Sequence, residues 1–401
     1  MSVLPTFSQP ARRLLILLPV VFVTLALLTG LFNESVRSTL PKVVITTNPS
    51  STIDNPFHGD CAANSTNGPL DNLSSIVQAL YAPLVVPITA PTFTARDGTV
   101  KRLPPASELV HHQSLGKRIC ILDVDTRPHT EDGAIFASSF PTWDALRPGS
   151  AGFLSHYLYA LIHGYTYKFV QAPTYKDRAP HWTKVIFTQE LLKQYDIVVM
   201  LDYDAVFPSP ELPLEWMLNY WKIDEQVMVA MAQDPDAEVN RDLRGNLNVN
   251  TGFIIAQASE NTQRMFKDWA ECPNETRYKG CARWKDVIFH EQAGFSSHVR
   301  YDFLDGLTIE EEPGKSMLRV LPCDEANGIP EKKHLGCSGQ LVRHYWGNKE
   351  MTKRELNDNV MNAMLPLLLQ SAFKGGDSAT NAVVDYRNKV LEGDQILDKP
   401  L

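Results

Sequence analysis

The chain has 401 residues, 44% of them hydrophobic and 9% aromatic, which suits about two domains with packed cores. Its net charge of −8 argues against a surface built to hold nucleic acid.

Leu14–Phe32 is an uncharged run of 19 residues. As a helix it would span roughly 28 Å, about the thickness of the bilayer's hydrocarbon core. Arg12 and Arg13 precede it and Asn33-Glu34 follow, so residues 1–13 read as a cytoplasmic tail and the rest of the chain as lumenal. The run exceeds the apolar region of a cleaved signal peptide and no clear small-x-small site follows it, so 14–32 reads as a transmembrane signal anchor. A membrane helix tolerates Pro19. All six cysteines (Cys61, Cys120, Cys272, Cys281, Cys323, Cys337) lie beyond the anchor, as disulfides in an oxidising compartment require. We expect bridges Cys272–Cys281 and Cys323–Cys337 and leave Cys61 and Cys120 open. Asn64, Asn72 and Asn274 open glycosylation sequons; Asn33 opens another, too near the membrane for use.

Residues 33–115 are rich in Pro, Ser, Thr and Asn and read as a stem with one helix near Asn72–Tyr81. The pattern changes at Lys117. Arg118–Asp123 predicts a buried strand, Ala151–His163 a helix closed by Gly164, and Tyr167–Val170 a second strand. A helix follows from Trp182 through Tyr195, then the apolar run Ile197–Leu201 as a third strand. This alternation argues an α/β fold with parallel strands, whose ligands sit at the strands' carboxyl ends. Val227–Ala232 and Val249–Ala256 predict further strands, and Ser259 caps a helix through Trp269. Leu318–Leu321 and Gln340–Val342 predict short late strands, and Met351–Phe373 an amphipathic helix before a polar tail. The catalytic domain is expected over 116–350, with the helix and tail over 351–401.

Asp202-Tyr203-Asp204 closes the third strand. Two carboxylates on alternate residues can share one hard divalent cation that keeps open positions for phosphate oxygens. Downstream, His344-Tyr345-Trp346-Gly347-Asn348-Lys349 follows a strand. His344 could add a nitrogen ligand to the ion, Lys349 could contact a diphosphate, and Gly347 would let the backbone approach it. Glu310–Glu312 reads as a solvated loop, while Asp234, Asp236 and Asp242 occupy a polar loop that could border an acceptor groove. Asp123-Val124-Asp125 opens a rival reading, because haloacid-dehalogenase-type phosphatases begin with such a strand and use its first Asp as nucleophile. A non-catalytic lumenal scaffold or lectin-like protein is the third reading.

Together these motifs resemble the Golgi glycosyltransferases of GT-A fold, above all the family holding fungal α-galactosyl- and α-mannosyltransferases and plant xyloglucan xylosyltransferases (glycosyltransferase family 34). The resemblance spans about residues 117–350. It rests on His181-Trp182-Thr183-Lys184, Leu201–Ala205, Asn250-Thr251-Gly252, His290-Glu291-Gln292 and His344–Lys349. His290 stands where the family often has an acidic residue, and Ile197–Met200 replaces its Trp-rich strand. The resemblance implies a GT-A-like, Rossmann-like domain with a mixed central sheet, in a single-pass type II Golgi membrane protein. It implies that Asp204 and His344 bind Mn²⁺ (or Mg²⁺) and that Asp202 reaches the metal through water or holds the donor ribose. Lys349 would contact the diphosphate, Lys184 would help position the nucleotide, and Asp123 or Asp125 could contact its base or ribose or merely end the strand. Asn250, Glu291 and Gln292 would face the sugar or acceptor. The donor would be UDP-galactose, or second GDP-mannose, and the acceptor a glycan on protein, lipid or polysaccharide. Transfer would retain the anomeric configuration, the leaving diphosphate taking the acceptor proton. An oligomer is compatible with all of this.

Overall fold

The computed structural model describes residues 72–303, 317–328, 330 and 335–374. The anchor run 14–32, Cys61, the Asn33 and Asn64 sequons, Glu310–Glu312 and the polar tail lie outside these residues. No helix among the described residues is long and apolar enough to cross a membrane.

The described chain opens with α1 (Leu73–Tyr81) and a hairpin of β1 (Thr92–Thr94) and β2 (Val100–Arg102). Sequence reading assigns both to a stem that holds the domain off the membrane. The structure packs residues 72–115 onto the domain instead. The Tyr81 hydroxyl donates to the Asn359 carbonyl at 2.9 Å, the Phe93 ring meets Trp216 edge-on, and Lys101 pairs with Glu325 at 2.7 Å.

The next elements follow in the expected order: β3 (Ile119–Asp125), α2 (Pro148–His163), β4 (Thr166–Gln171), α3 (Thr183–Leu191) and β5 (Ile197–Leu201). β3 lies between β4 and β5 and is parallel to both. Every residue of β5 is buried, because helices cover both faces of the sheet. Val199 and Leu201 join the core that includes Tyr159 of α2, whereas Val198 and Met200 join the one holding Val185 of α3. α2 ends where Gly164 takes the left-handed conformation, φ 72°.

Beyond β5 come β6 (Ala205–Val206), α4 (Leu214–Tyr220), β7 (Val229–Gln233), β8 (Val249–Gln257), α5 (Glu260–Glu271) and α6 (His290–Ser297). The Ser259 side chain caps α5 by accepting from the Thr262 amide at 3.0 Å. β9 (Leu318–Leu321), α7 (Cys323–Ala326), β10 (Arg343–His344) and α8 (Met351–Leu369) complete the order. β8 is antiparallel to both β5 and β7, and β9 is parallel to β7, so the six-stranded sheet is mixed.

Two local expectations change. Gln340–Val342 is not a strand: its amides bond to the Asp324 and Glu325 carbonyls, wrapping the segment over α7, and the ladder begins only at Arg343. α8 is apolar-faced only in part. Its buried residues are Thr352, Glu355, Leu356, Asn359 and Ala363, while Leu365, Leu368 and Leu369 near its end are exposed. The buried Glu355 carboxylate explains the polar stripe, since Arg96, Arg343 and Tyr345 all bond to it. Both expected disulfides form, Cys272–Cys281 and Cys323–Cys337. Cys120 is free and buried, and burial pushes its thiol up to about 12.

Candidate active site

β5 stops at Leu201, and Asp202–Asp204 form the turn that leads into β6. Gly152 of α2 sits directly under this turn. A Cβ there would lie 2.7 Å from the Tyr203 carbonyl carbon, so only glycine lets helix and turn meet. β10 then pairs antiparallel with β6, placing His344 opposite Ala205. The Tyr345 amide donates to the Asp204 carbonyl at 2.7 Å. A two-residue ladder thus joins sequence-distant motifs into one corner.

In that corner one ligand atom each from Asp202, Asp204 and His344 lies within 4.8 Å of the others. Two carboxylates and an imidazole are a donor set that could hold one divalent cation. The Lys349 ammonium sits 2.9 Å from the second Asp204 oxygen and 4.7 Å from the Tyr203 ring centre. Burial would raise the Asp204 carboxyl, but His344 and Lys349 outweigh it and hold it well below the usual carboxylate range.

The imidazole of His344 is oriented by residues that carry no sequence signal. Asn327 is buried, and its Nδ2 donates to the Gln233 carbonyl at 3.1 Å. That orientation leaves its Oδ1 to accept from His344 Nδ1 at 3.1 Å. Nδ1 therefore carries a proton, and Nε2 is the nitrogen turned toward Asp204, 3.5 Å away. Gly252 supplies the space: a Cβ there would stand 2.6 Å from His344 Nε2.

Lys184 is buried between two carboxylates, 2.9 Å from Asp202 and 3.0 Å from Glu291. Burial opposes its charge, yet the two carboxylates outweigh burial and raise its pKa above the ordinary lysine value. Its ammonium locks Asp202 in place and is already neutralised, so it is not a free contact for phosphate. Glu291 also accepts from the Thr251 hydroxyl at 2.8 Å. Gln292 accepts from the Thr251 amide at 3.1 Å and donates to Asp234 at 2.6 Å. Asn250 donates to the other Asp234 oxygen at 2.9 Å. Burial raises the Asp234 carboxyl against these bonds. Asp236 is exposed, and Asp242 is tied to Arg300 and Tyr301, so Asp234 alone of that loop's three aspartates lines the site.

Two cavities meet at the cluster. A cleft of about 310 Å³ is lined by Asp125, Arg127, Phe153, Thr183 and Tyr203. A wider one of about 500 Å³ is lined by Asp234, Asn250, Glu291, Gln292, His344 and Trp346. His181, Lys184, Asp202, Asp204 and Lys349 border both.

Asp123 is not in either cavity. It is fully buried, with its oxygens held by His156 Nδ1 at 2.8 Å and the Tyr167 hydroxyl at 2.7 Å. It cannot contact a nucleotide, and no phosphate can reach it for attack. Of the two aspartates expected near the nucleotide, Asp125 is the one that lines the cleft, where Arg127 at 3.0 Å and His129 at 3.1 Å anchor it. Gly347 lies in the exposed turn between His344 and Lys349, outside both cavity linings. Sequence reading misses Asn327, His156, Arg127 and Gly152. Only Arg127 had a signal, as a cation just past an apolar strand.

Residues 168–354 match the nucleotide-diphospho-sugar transferase family, and this segment holds Asp202, Asp204, His344 and Lys349. Among solved structures the chain is similar to a glycosyltransferase involved in the glycosylation of the major capsid of PBCV-1. The two are 14% identical with a TM-score of 0.41, covering 60% of this chain and 98% of that one. No curated protein sequence matches.

Proposed function

We propose that this protein is a divalent-metal-dependent glycosyltransferase that moves a hexose from a nucleotide-diphosphate sugar to a glycan. The convergence of Asp202, Asp204 and His344 beside Lys349, inside the segment that matches the transferase family, carries this reading. Asp204 and His344 would hold the metal, with Asp202 beside them. A bound metal would supply positive charge against the diphosphate as the sugar–phosphate bond breaks. Lys349, half-exposed at the junction of the cavities, is placed to turn from Asp204 to that diphosphate. The cleft bordered by Asp125, Arg127, Phe153 and Tyr203 would take the nucleoside, and the wider cavity the sugar and acceptor.

The wider cavity also favours retention. Its carboxylates are all committed: Asp202 and Glu291 to Lys184, Asp204 to Lys349, and Asp234 to Asn250 and Gln292. With no uncommitted carboxylate on that wall, the leaving diphosphate would take the acceptor proton. UDP-galactose is the leading donor and GDP-mannose the second. A type II Golgi location with an anchor at 14–32 completes the proposal. Calorimetric titration of the full chain with UDP and GDP, with and without Mn²⁺, tests it. Mn²⁺-dependent binding of one nucleotide is expected and names the donor's base. Binding of neither by folded protein would refute the reading.

A further inference from the structure

The wider cavity has an outer wall that the donor chemistry does not use. It runs past Asn250 and Gln292 and is apolar: Pro235, Ile288, Phe289 and Trp346. Ile288 is 70% exposed and Val287 51%, large aliphatic side chains held at a polar rim. The backbone there is strained. Phe289 has φ 76° and the adjacent His290 φ 33°, left-handed values that bulky residues adopt only when their surroundings impose them. The cause lies in the next two residues. Glu291 is pinned to Lys184 and Thr251, and Gln292 to Thr251 and Asp234, so the chain before them must turn sharply outward. The turn holds Ile288 and Phe289 at the cavity wall.

Polar groups border the same space. The His290 ring stacks on His181 at 4.5 Å, and its buried Nδ1 has no hydrogen-bond partner. Asn240 and Asp234 also face the cavity. A flat aromatic and branched aliphatics beside amides and a carboxylate match one ligand shape, a ring with an apolar C–H face and a hydroxyl rim. A lipid tail would bury Asp234 and His290 Nδ1 against hydrocarbon without compensation.

We propose that Trp346 and the Ile288–His290 lip form an acceptor subsite that grips a pyranose ring by its apolar face and sets which sugar is accepted. This deepens the transferase reading and rests on it. Saturation-transfer NMR tests it, on the full chain with Mg²⁺ and UDP or GDP, against methyl glucoside, galactoside and mannoside. Ring protons of at least one pyranoside are expected to receive saturation. Trp346→Ala and, at an exposed site, Ile288→Asn should each weaken that binding about tenfold, the loss of one good apolar contact. Trp346→Phe should retain it, and nucleotide Kd should stay within about twofold in every variant. Equal saturation in wild type and both disruptive variants, or none with any pyranoside while nucleotide binds, overturns the subsite. Failure of the wild type to bind either nucleotide overturns the transferase reading instead.

Discussion

Two of the chain's Asp-x-Asp triplets close the neighbouring parallel strands β3 and β5, and these two copies do opposite work. Asp123-Val124-Asp125 stays in the ladder: β3 remains paired with β4 as far as Asp125. Its first carboxylate therefore points into the protein, between His156 and Tyr167. β5 ends at Leu201, so Asp202 and Asp204 fall in a turn that β10 closes with His344. Where strand pairing stops decides whether the same three-residue pattern becomes a structural tie or a corner whose carboxylates could hold a metal.

The sharpest test of the contrast exchanges the losses. Asp123→Ala should destabilise the fold by about 3–5 kcal/mol in urea titration, because it strands the buried His156 ring. Asp204→Ala should cost less stability than Asp123→Ala, because its partner Lys349 is half-exposed, and should lower Mn²⁺-dependent kcat by about 10²–10³. If Asp123→Ala folds normally and loses turnover, the assignment of the copies is wrong.

pH separates the structural copy next. Both His156 nitrogens face acceptors, Asp123 at 2.8 Å and the Ala205 carbonyl at 2.5 Å. Burial opposes its charge, but Asp123 and the carbonyl outweigh burial and raise its pKa. Its contribution is full below about pH 6.5 and fades as pH rises through the higher folded value. Two turns along the same helix, His163 donates to the Pro210 carbonyl at 2.7 Å, and burial lowers its pKa to about 4. The unfolded chain protonates first there, so stability should fall by up to about 3 kcal/mol from pH 6.5 down to 4. Thermal melts over that range should show the loss, and His163→Gln should flatten it. An unchanged slope in the variant would assign the acid limb elsewhere.

The smallest effect refines the metal corner. Gly252→Ala would push a Cβ into the His344 ring, and Asn327→Leu would free its tautomer. Each should weaken Mn²⁺ affinity about 10–100-fold, read by electron paramagnetic resonance of free Mn²⁺. Wild-type affinity in both would remove His344 from the ligand set.

Much of this protein was legible in its sequence. Unbroken apolar runs marked β3, β5 and β8, and apolar helical segments marked α2 and α5, because burial on both faces of a strand or along a helix is local chemistry written along the chain. Asp202, Asp204, His344 and Lys349 were legible because two carboxylates closing an apolar strand and a later His-x-x-Gly-x-Lys together fit one metal–diphosphate chemistry. The exposed or buried fate of Asp123, the Asn327 that turns His344, and the caging of Asp234 were decided only by tertiary structure. Each depends on which distant segment arrives beside it, and side-chain hydrogen bonds across such distances leave no period in the sequence to read. The packing of residues 72–115 belongs with them: a Pro- and Ser-rich composition reports low helical and strand propensity, not whether Tyr81, Phe93 and Lys101 find partners on the domain.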